Sequence, residues 1–127
     1  MSYDLSTPFQ IPEQYYKLLF EAMPSHSVLV KADSPTFTIL AATTAYLSQT
    51  NYSKEDLIGK GVFEAFPVNV DPNNTGSNIF YSSYQHVLTY KEPHYLPLQR
   101  YDLKNPDGSF VEKYWKVSNT PVLLYFT

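Results

Sequence analysis

The chain has 127 residues, a net charge of −3 and no cysteine, with 43% hydrophobic and 17% charged residues. That length holds one domain with a real core but not two. The acidic balance argues against a nucleic-acid or anionic-membrane surface, which needs a basic patch, and the lack of cysteine excludes disulfides, thiolate catalysis and cysteine-based zinc.

Residues 1–12 are polar, carry Pro8 and Pro12, and read as a loose lead-in before a single domain over 13–127. They offer no basic region followed by an apolar run, so they are no signal peptide. No apolar stretch of the chain is long enough to cross a bilayer, and with the cysteine-free composition a cytoplasmic location is expected. From Glu13 to Met23 the spacing of Tyr16, Leu19, Phe20 and Met23 predicts a short helix with one apolar stripe, ended by Pro24. Two readings of that stripe stay open: it covers the domain's own sheet, or it forms a homodimer interface.

Val28 to Lys31 and Phe37 to Ala42 are β-prone and flank the turn residues Asp33-Ser34-Pro35, which predicts a hairpin. Thr43 or Thr44 is placed to cap a helix running to about Gln49. Ser53-Lys54-Glu55-Asp56 reads as an N-cap with acid in the first turn, where the helix dipole favours it, and Gly59 stops that turn. Asp71 to Asn78 is a loop, and Thr75 or Ser77 can cap the next helix, roughly Asn78 to Tyr90. On that helix Phe80, Tyr84, Val87 and Leu88 share one face, and Pro93 closes it. Tyr95 to Leu103 and Phe110 to about Leu123 alternate as strands around Asn105-Pro106-Asp107-Gly108. Asp-Gly between such runs is a strong hairpin signal, because glycine accepts the positive φ the turn needs.

The motif DG-x-F-x-E-x-Y-W with N-T-P-V, read with Glu55-Asp56-Leu57-Ile58-Gly59-Lys60 and Phe63-Glu64-Ala65-Phe66-Pro67, resembles the PAS domain family. The resemblance runs from about Phe20 to Val122 and is strongest to the PAS domains of bacterial sensor histidine kinases. It implies an α+β fold: a five-stranded antiparallel sheet, short helices on one face enclosing a cavity, and an N-terminal helix. It also implies a non-catalytic sensory module of a two-component system, with a small-molecule ligand and a downstream kinase or other effector in the parent protein. In the family a fifth, central strand follows N-T-P-V. Here only Leu123-Leu124-Tyr125-Phe126-Thr127 follows, without a turn residue, so that strand is expected to be missing or displaced.

No cofactor is expected. Haem relatives take an axial histidine from the longer helix, but the corresponding position falls near Phe80, and His86 lies off the apolar face. Flavin photochemistry of the covalent kind needs a cysteine. His26, His86 and His94 show no metal-site spacing, and the EF-hand-like start Asp71-x-Asn73-x-Thr75 has Ser82 where the loop needs a bidentate Glu. Asp102 and Glu112 approach across the hairpin beside Arg100 and Lys113, which favours exposed cross-strand ion pairs over acid–base chemistry. No kinase phosphorylation or ATP-binding motif occurs.

The expected cavity is walled by Phe80, Tyr84, Val87 and Leu88 on the helix and closed by Phe63 and Phe66. On the strands, alternation groups Leu96, Leu98 and Arg100, and separately Trp115, Val117 and Asn119. Arg100 or Asn119 would be the polar handle for a carboxylate or carbonyl ligand. With twelve Tyr and eight Phe, the rings either line such a cavity or fill it. A ligand-free dimerisation or scaffold domain therefore stays open, and so does a small enzyme with a cone-shaped pocket.

Overall fold

The computed structural model describes residues 11–67 and 76–122, with side chains throughout except at 76–78. The first ten residues, the candidate calcium loop, Thr75 and residues 123–127 lie outside the described residues. The element order is α1 (Glu13–Ala22), β1 (Val28–Val30), β2 (Ile39–Ala42), α2 (Thr44–Thr50), α3 (Lys54–Leu57), α4 (Val62–Ala65), α5 (Gly76–Tyr90), β3 (His94–Arg100), β4 (Leu103–Lys104), β5 (Phe110–Val111) and β6 (Tyr114–Asn119). The fold is α+β and PAS-like, with antiparallel strands and helices packed against them.

Local chemistry explains most boundaries. Thr43 caps α2 by accepting from the Tyr46 N–H, and Ser53 and Asp56 form a reciprocal capping box at α3. Gly61, at the start of α4, passes so close to the Thr36 carbonyl that an added Cβ would sit 2.9 Å from it. That contact locks the short helices onto the β1–β2 hairpin, where Thr38 also bridges to Gly61. Gly108 takes φ 91° in the turn between β4 and β5, and Asp107 accepts from the Ser109 backbone and hydroxyl at 2.9 and 2.6 Å.

The strands differ from the simple expectation in two ways. Each long strand is broken: Tyr101 and Asp102 separate β3 from β4, and Glu112 and Lys113 separate β5 from β6. Asp102 is buried there, at 2% exposure, which corrects the exposed alternation expected of it. Its carboxylate accepts from Arg100 Nε and a terminal Arg100 nitrogen at 3.0 Å each, and from the Lys113 N–H at 3.3 Å. The kink is a place where the chain turns a charged group inward and pairs it.

The second difference is topological. Among the described residues the strands form three antiparallel pairs, β1–β2, β3–β6 and β4–β5, and not one continuous sheet. The core gathers under these pairs around Phe37, Ile39, Leu57, Val62, Phe66, Tyr101 and Leu103.

Helix α1 buries Glu21, whose carboxylate meets Lys54 Nζ at 2.8 Å. Tyr16, Leu19 and Met23 stay exposed, and Tyr15 and Leu18 beside them do too. Phe20 leaves this stripe and turns toward the cavity.

Candidate ligand cavity

A cavity of about 800 Å³ lies between the β1–β2 hairpin, α5 and β6. The seven consecutive residues from His26 to Ala32 line it, as do the six from Val117 to Val122. Side chains alternate across a strand, so unbroken runs mean that chain edges, and not one face alone, border the space. The cavity sits where the β1–β2 and β3–β6 pairs are not joined.

The helix α5 presents Phe80, Tyr84, Val87 and Leu88 to this space, Phe63 and Phe66 stand at α4 and its exit, and Trp115, Val117 and Asn119 come from β6. Aromatic contacts hold the wall in place. Tyr84 packs on Phe37 and Phe63 with ring centroids 5.0 and 5.9 Å away. Phe80 meets Tyr101 edge-on at 5.1 Å, and Tyr46 stands between Phe66 at 6.1 Å and Trp115 at 6.3 Å.

Leu98 and Arg100 are not brought to the cavity, and a bulge is the reason. Leu96 pairs with Val117 but Gln99 pairs with Trp115, so Pro97 and Leu98 oppose a single residue. The extra residue flips the alternation. Leu96 and Gln99 now share a face with Trp115 and Val117, Leu98 is 65% exposed, and Arg100 turns to Asp102. Pro97 was the available signal, since a proline lacks the N–H that a ladder needs and is confined in sheets to edges, strand starts and bulges.

Asn119 lines the cavity, yet its amide is engaged. Its Nδ2 donates to Ser83 Oγ at 2.8 Å, and the same oxygen lies 2.7 Å from His94 Nδ1. His94 stacks on His86 with centroids 4.3 Å apart. This part-buried polar knot pins α5 to β3 and β6. Among the described residues no group of three metal-ligating side chains gathers.

Polar side chains of Ser27, Gln49, Ser118 and Thr120 border the space, and so do the phenols of Tyr46, Tyr84 and Tyr101. Tyr101 donates its hydroxyl to the Phe66 carbonyl, and Tyr52, which is not part of the lining, donates to the Lys104 carbonyl. Tyr46 and Tyr84 also line the cavity, and among the described residues their hydroxyls have no hydrogen-bond partner. Burial pushes Tyr84 up to about 12 from its ordinary 10.0 and raises Tyr46 still further, with the Tyr84 phenol adding to that rise. Sequence patterning put Tyr84 on the helix wall as a ring but missed Tyr46, for which no periodicity signal exists on the seven-residue α2.

The phenols give a pH prediction. A raised folded-state value means the unfolded chain ionises first, so the stability these groups contribute is intact below pH 10 and lost as pH rises through the folded value. The thermal midpoint is expected to fall as pH rises from 10 toward 12, and less steeply in Tyr84→Phe. Equal slopes for the two proteins in a melting series over that range would contradict it.

No protein-family model matches this chain, and no curated protein matches it. Solved structures do resemble it. A variant of RsLOV aligns over 83% of this chain and 56% of its own at 12% identity, with a TM-score of 0.55. The chain thus spans little more than half the length of that protein. The PAS domain of the fruit-fly ELK potassium channel aligns over 87% of this chain and all of its own at 15% identity, with a TM-score of 0.47. The likeness to RsLOV is one of fold, and it agrees with the PAS-like architecture described above. No helix among the described residues is long and apolar enough to cross a membrane.

Proposed function

We propose that this chain is a non-catalytic sensory module of PAS type that binds a small molecule between its β1–β2 hairpin, α5 and β6. The observation that carries the reading is the cavity itself: its volume lies within the range of small-molecule sites, and its lining is mostly apolar with a few polar groups. The motif resemblance extends the reading to a cytoplasmic module of a bacterial two-component sensor, with a histidine kinase or other effector elsewhere in the parent protein. A ligand that favours one packing of α5 on the strands would shift the population of states that the effector reads. Resident haem, covalent flavin, metal and nucleic acid form no part of this reading.

Native mass spectrometry of the purified protein tests it. The expected result is an additional mass on the folded protein that disappears on denaturation, or binding of a small molecule from a metabolite panel seen as a rise in melting temperature. A bare protein mass and no shift from any panel member would overturn it in favour of a ligand-free scaffold.

The exposed stripe of α1 favours a second reading, dimerisation. With Leu19 at 58% exposure beside Tyr16 and Met23, the helix presents apolar surface that the other described residues leave uncovered. Leu19→Glu is expected to convert a dimer to a monomer in light scattering. A dimer of unchanged strength in that variant would remove α1 from the interface.

A further inference from the structure

Two strand edges stand open where the β1–β2 and β3–β6 pairs fail to join. In an antiparallel ladder, successive residues turn their N–H and C=O to opposite sides of the strand. On β1 the residues that serve β2 are Ser27, whose carbonyl accepts from the Thr43 N–H at 2.9 Å, Leu29, paired with Ala41, and Lys31, whose N–H donates to the Thr38 carbonyl at 2.7 Å. Val28 and Val30 therefore aim their backbone groups away from β2. On the other pair, the Lys113 carbonyl accepts from the Tyr101 N–H at 2.9 Å, and the two-residue alternation carries that side on to Trp115, Val117 and Asn119. Lys116 and Ser118 therefore aim theirs away from β3. Among the described residues no strand pairs with either edge, and both runs border the one cavity. An extended strand laid between them would bond to Val28 and Val30 on one side and to Lys116 and Ser118 on the other.

The sequence after Val122 has the chemistry of such a strand. Leu123-Leu124-Tyr125-Phe126-Thr127 carries no charge, no glycine and no proline, and Tyr, Phe and Thr favour strands. It lies outside the described residues and follows Thr120, Pro121 and Val122, which run along the border of the cavity. What the sequence lacks is a way back into its own cavity. Returning beside β6 needs a tight reversal across 120–122, and tight hairpins are built on Gly, Asn or Asp at positive φ. Thr120, Pro121 and Val122 supply none, and positive φ is an outlier for β-branched residues. A short connection that resists reversal favours handing the strand to a neighbour, and open edges favour accepting it. We propose that two copies of this chain exchange residues 123–127, each copy laying the segment between β1 and β6 of the other. The length agrees, since five extended residues span roughly 17 Å and the seven edge residues from His26 to Ala32 roughly 23 Å. Exchange joins the two strand pairs into one sheet and leaves the space under α5 to a small molecule, so it goes beyond the sensory reading without depending on it.

Cross-linking tests the exchange directly, in a chain that has no cysteine of its own. One chain carries Val28→Cys or Val30→Cys. The other carries Tyr125→Cys or Phe126→Cys, neighbours that point to opposite faces of a strand, so one of them meets the valine face. The two singly substituted chains are unfolded together, refolded and oxidised. Expected is a reducible product of twice the chain mass that joins the two different chains. It should be lost when Leu124→Pro is added to the second chain, because proline has no N–H and is not tolerated inside a central strand. Glu55→Cys, at an exposed position of α3, replaces the valine substitutions as the control for random collision. A disulfide that forms within doubly substituted chains and never between singly substituted ones would show the segment returning to its own chain, and would overturn exchange. Cross-linking in neither arrangement, or no better than with Glu55→Cys, would overturn this segment as the occupant. Unsubstituted protein gives a second measurement that no folding defect can confuse: light scattering is expected to give the mass of two chains, and a monomer would overturn exchange by itself. The cross-link reports which chain the segment occupies whichever surface α1 uses. A small molecule is read separately as additional mass on the folded protein, so the sensory reading and the exchange fail independently.

Discussion

Asp102→Ala is expected to lower the stability of the protein by about 3–5 kcal/mol, the cost of breaking a buried ion pair from one side. Asp102 has a side chain 1% exposed, and Arg100, its bidentate partner, is 18% exposed. Taking away the carboxylate leaves a guanidinium that has given up most of its water without its bidentate acceptor, and the contact to Glu112 is a long one at 3.9 Å. It also strips the Lys113 N–H of an acceptor at the point where β5 gives way to β6. Single domains of this size are stable by about 5–15 kcal/mol in total, so the loss is a large share. In urea unfolding the midpoint should drop with the slope unchanged. The double substitution Arg100→Met with Asp102→Leu should cost clearly less than Asp102→Ala, because an apolar pair leaves no buried charge behind. A single-variant loss below about 1 kcal/mol would show that the pair is a surface feature, and the account of the strand break would fall with it.

That pair also marks where sequence reading stops. The sequence grouped Arg100, Asp102, Glu112 and Lys113 as cross-strand ion pairs, but the close pair forms within one segment, from Arg100 to Asp102, and the Arg100–Glu112 contact across the hairpin is long at 3.9 Å. Their burial was not legible, because period-two patterning assumes an unbroken strand. Two local events defeat the assumption here. The bulge at Pro97 and Leu98 flips the face of everything after it, and the break at Tyr101 and Asp102 turns an acidic side chain into the core. Arg100 was therefore assigned to the cavity face when it serves the strand break. Features that depend on a few neighbouring residues were readable: a threonine cap at 43 or 44, an N-cap at Ser53 with acid in the first turn, the Asp107-Gly108 turn and the apolar face of α5 all appear, while the choice of Thr43 and the reciprocal Asp56 bond came from the structure. The candidate site is intermediate. Its aromatic wall follows from helix periodicity, but its unpartnered phenols follow from which hydroxyls find acceptors in three dimensions. Tyr52 and Tyr101 find carbonyls while Tyr46 and Tyr84 do not, and nothing in the spacing of the four distinguishes them.

Phe37 joins the core to the cavity, and its truncation is the other large effect. The side chain is 2% exposed, touches Tyr81 and Tyr84 with centroids 5.8 and 5.0 Å away, and forms part of the cavity wall. Its backbone sits at φ 52°, a conformation uncommon for a bulky residue. The Asp33 carbonyl accepts from its N–H at 3.3 Å, and its own carbonyl accepts from the Val62 N–H at 3.0 Å. The surrounding hairpin and α4 thus impose the conformation, and the buried ring holds it there. Phe37→Ala removes the ring without relieving the backbone, since alanine has no easier access to positive φ. Expected is a loss of about 3–5 kcal/mol, typical of a buried phenylalanine cut back to alanine. The void created opens onto an existing cavity, so water can enter it and the cost should fall toward the lower end. The same opening frees one side of Tyr84. Unfolding in denaturant reads the first effect. The second appears as faster exchange or broader NMR signals of the Tyr84 ring relative to wild type. A variant that loses stability while the Tyr84 ring stays as fixed as before would show that Phe63 alone positions it.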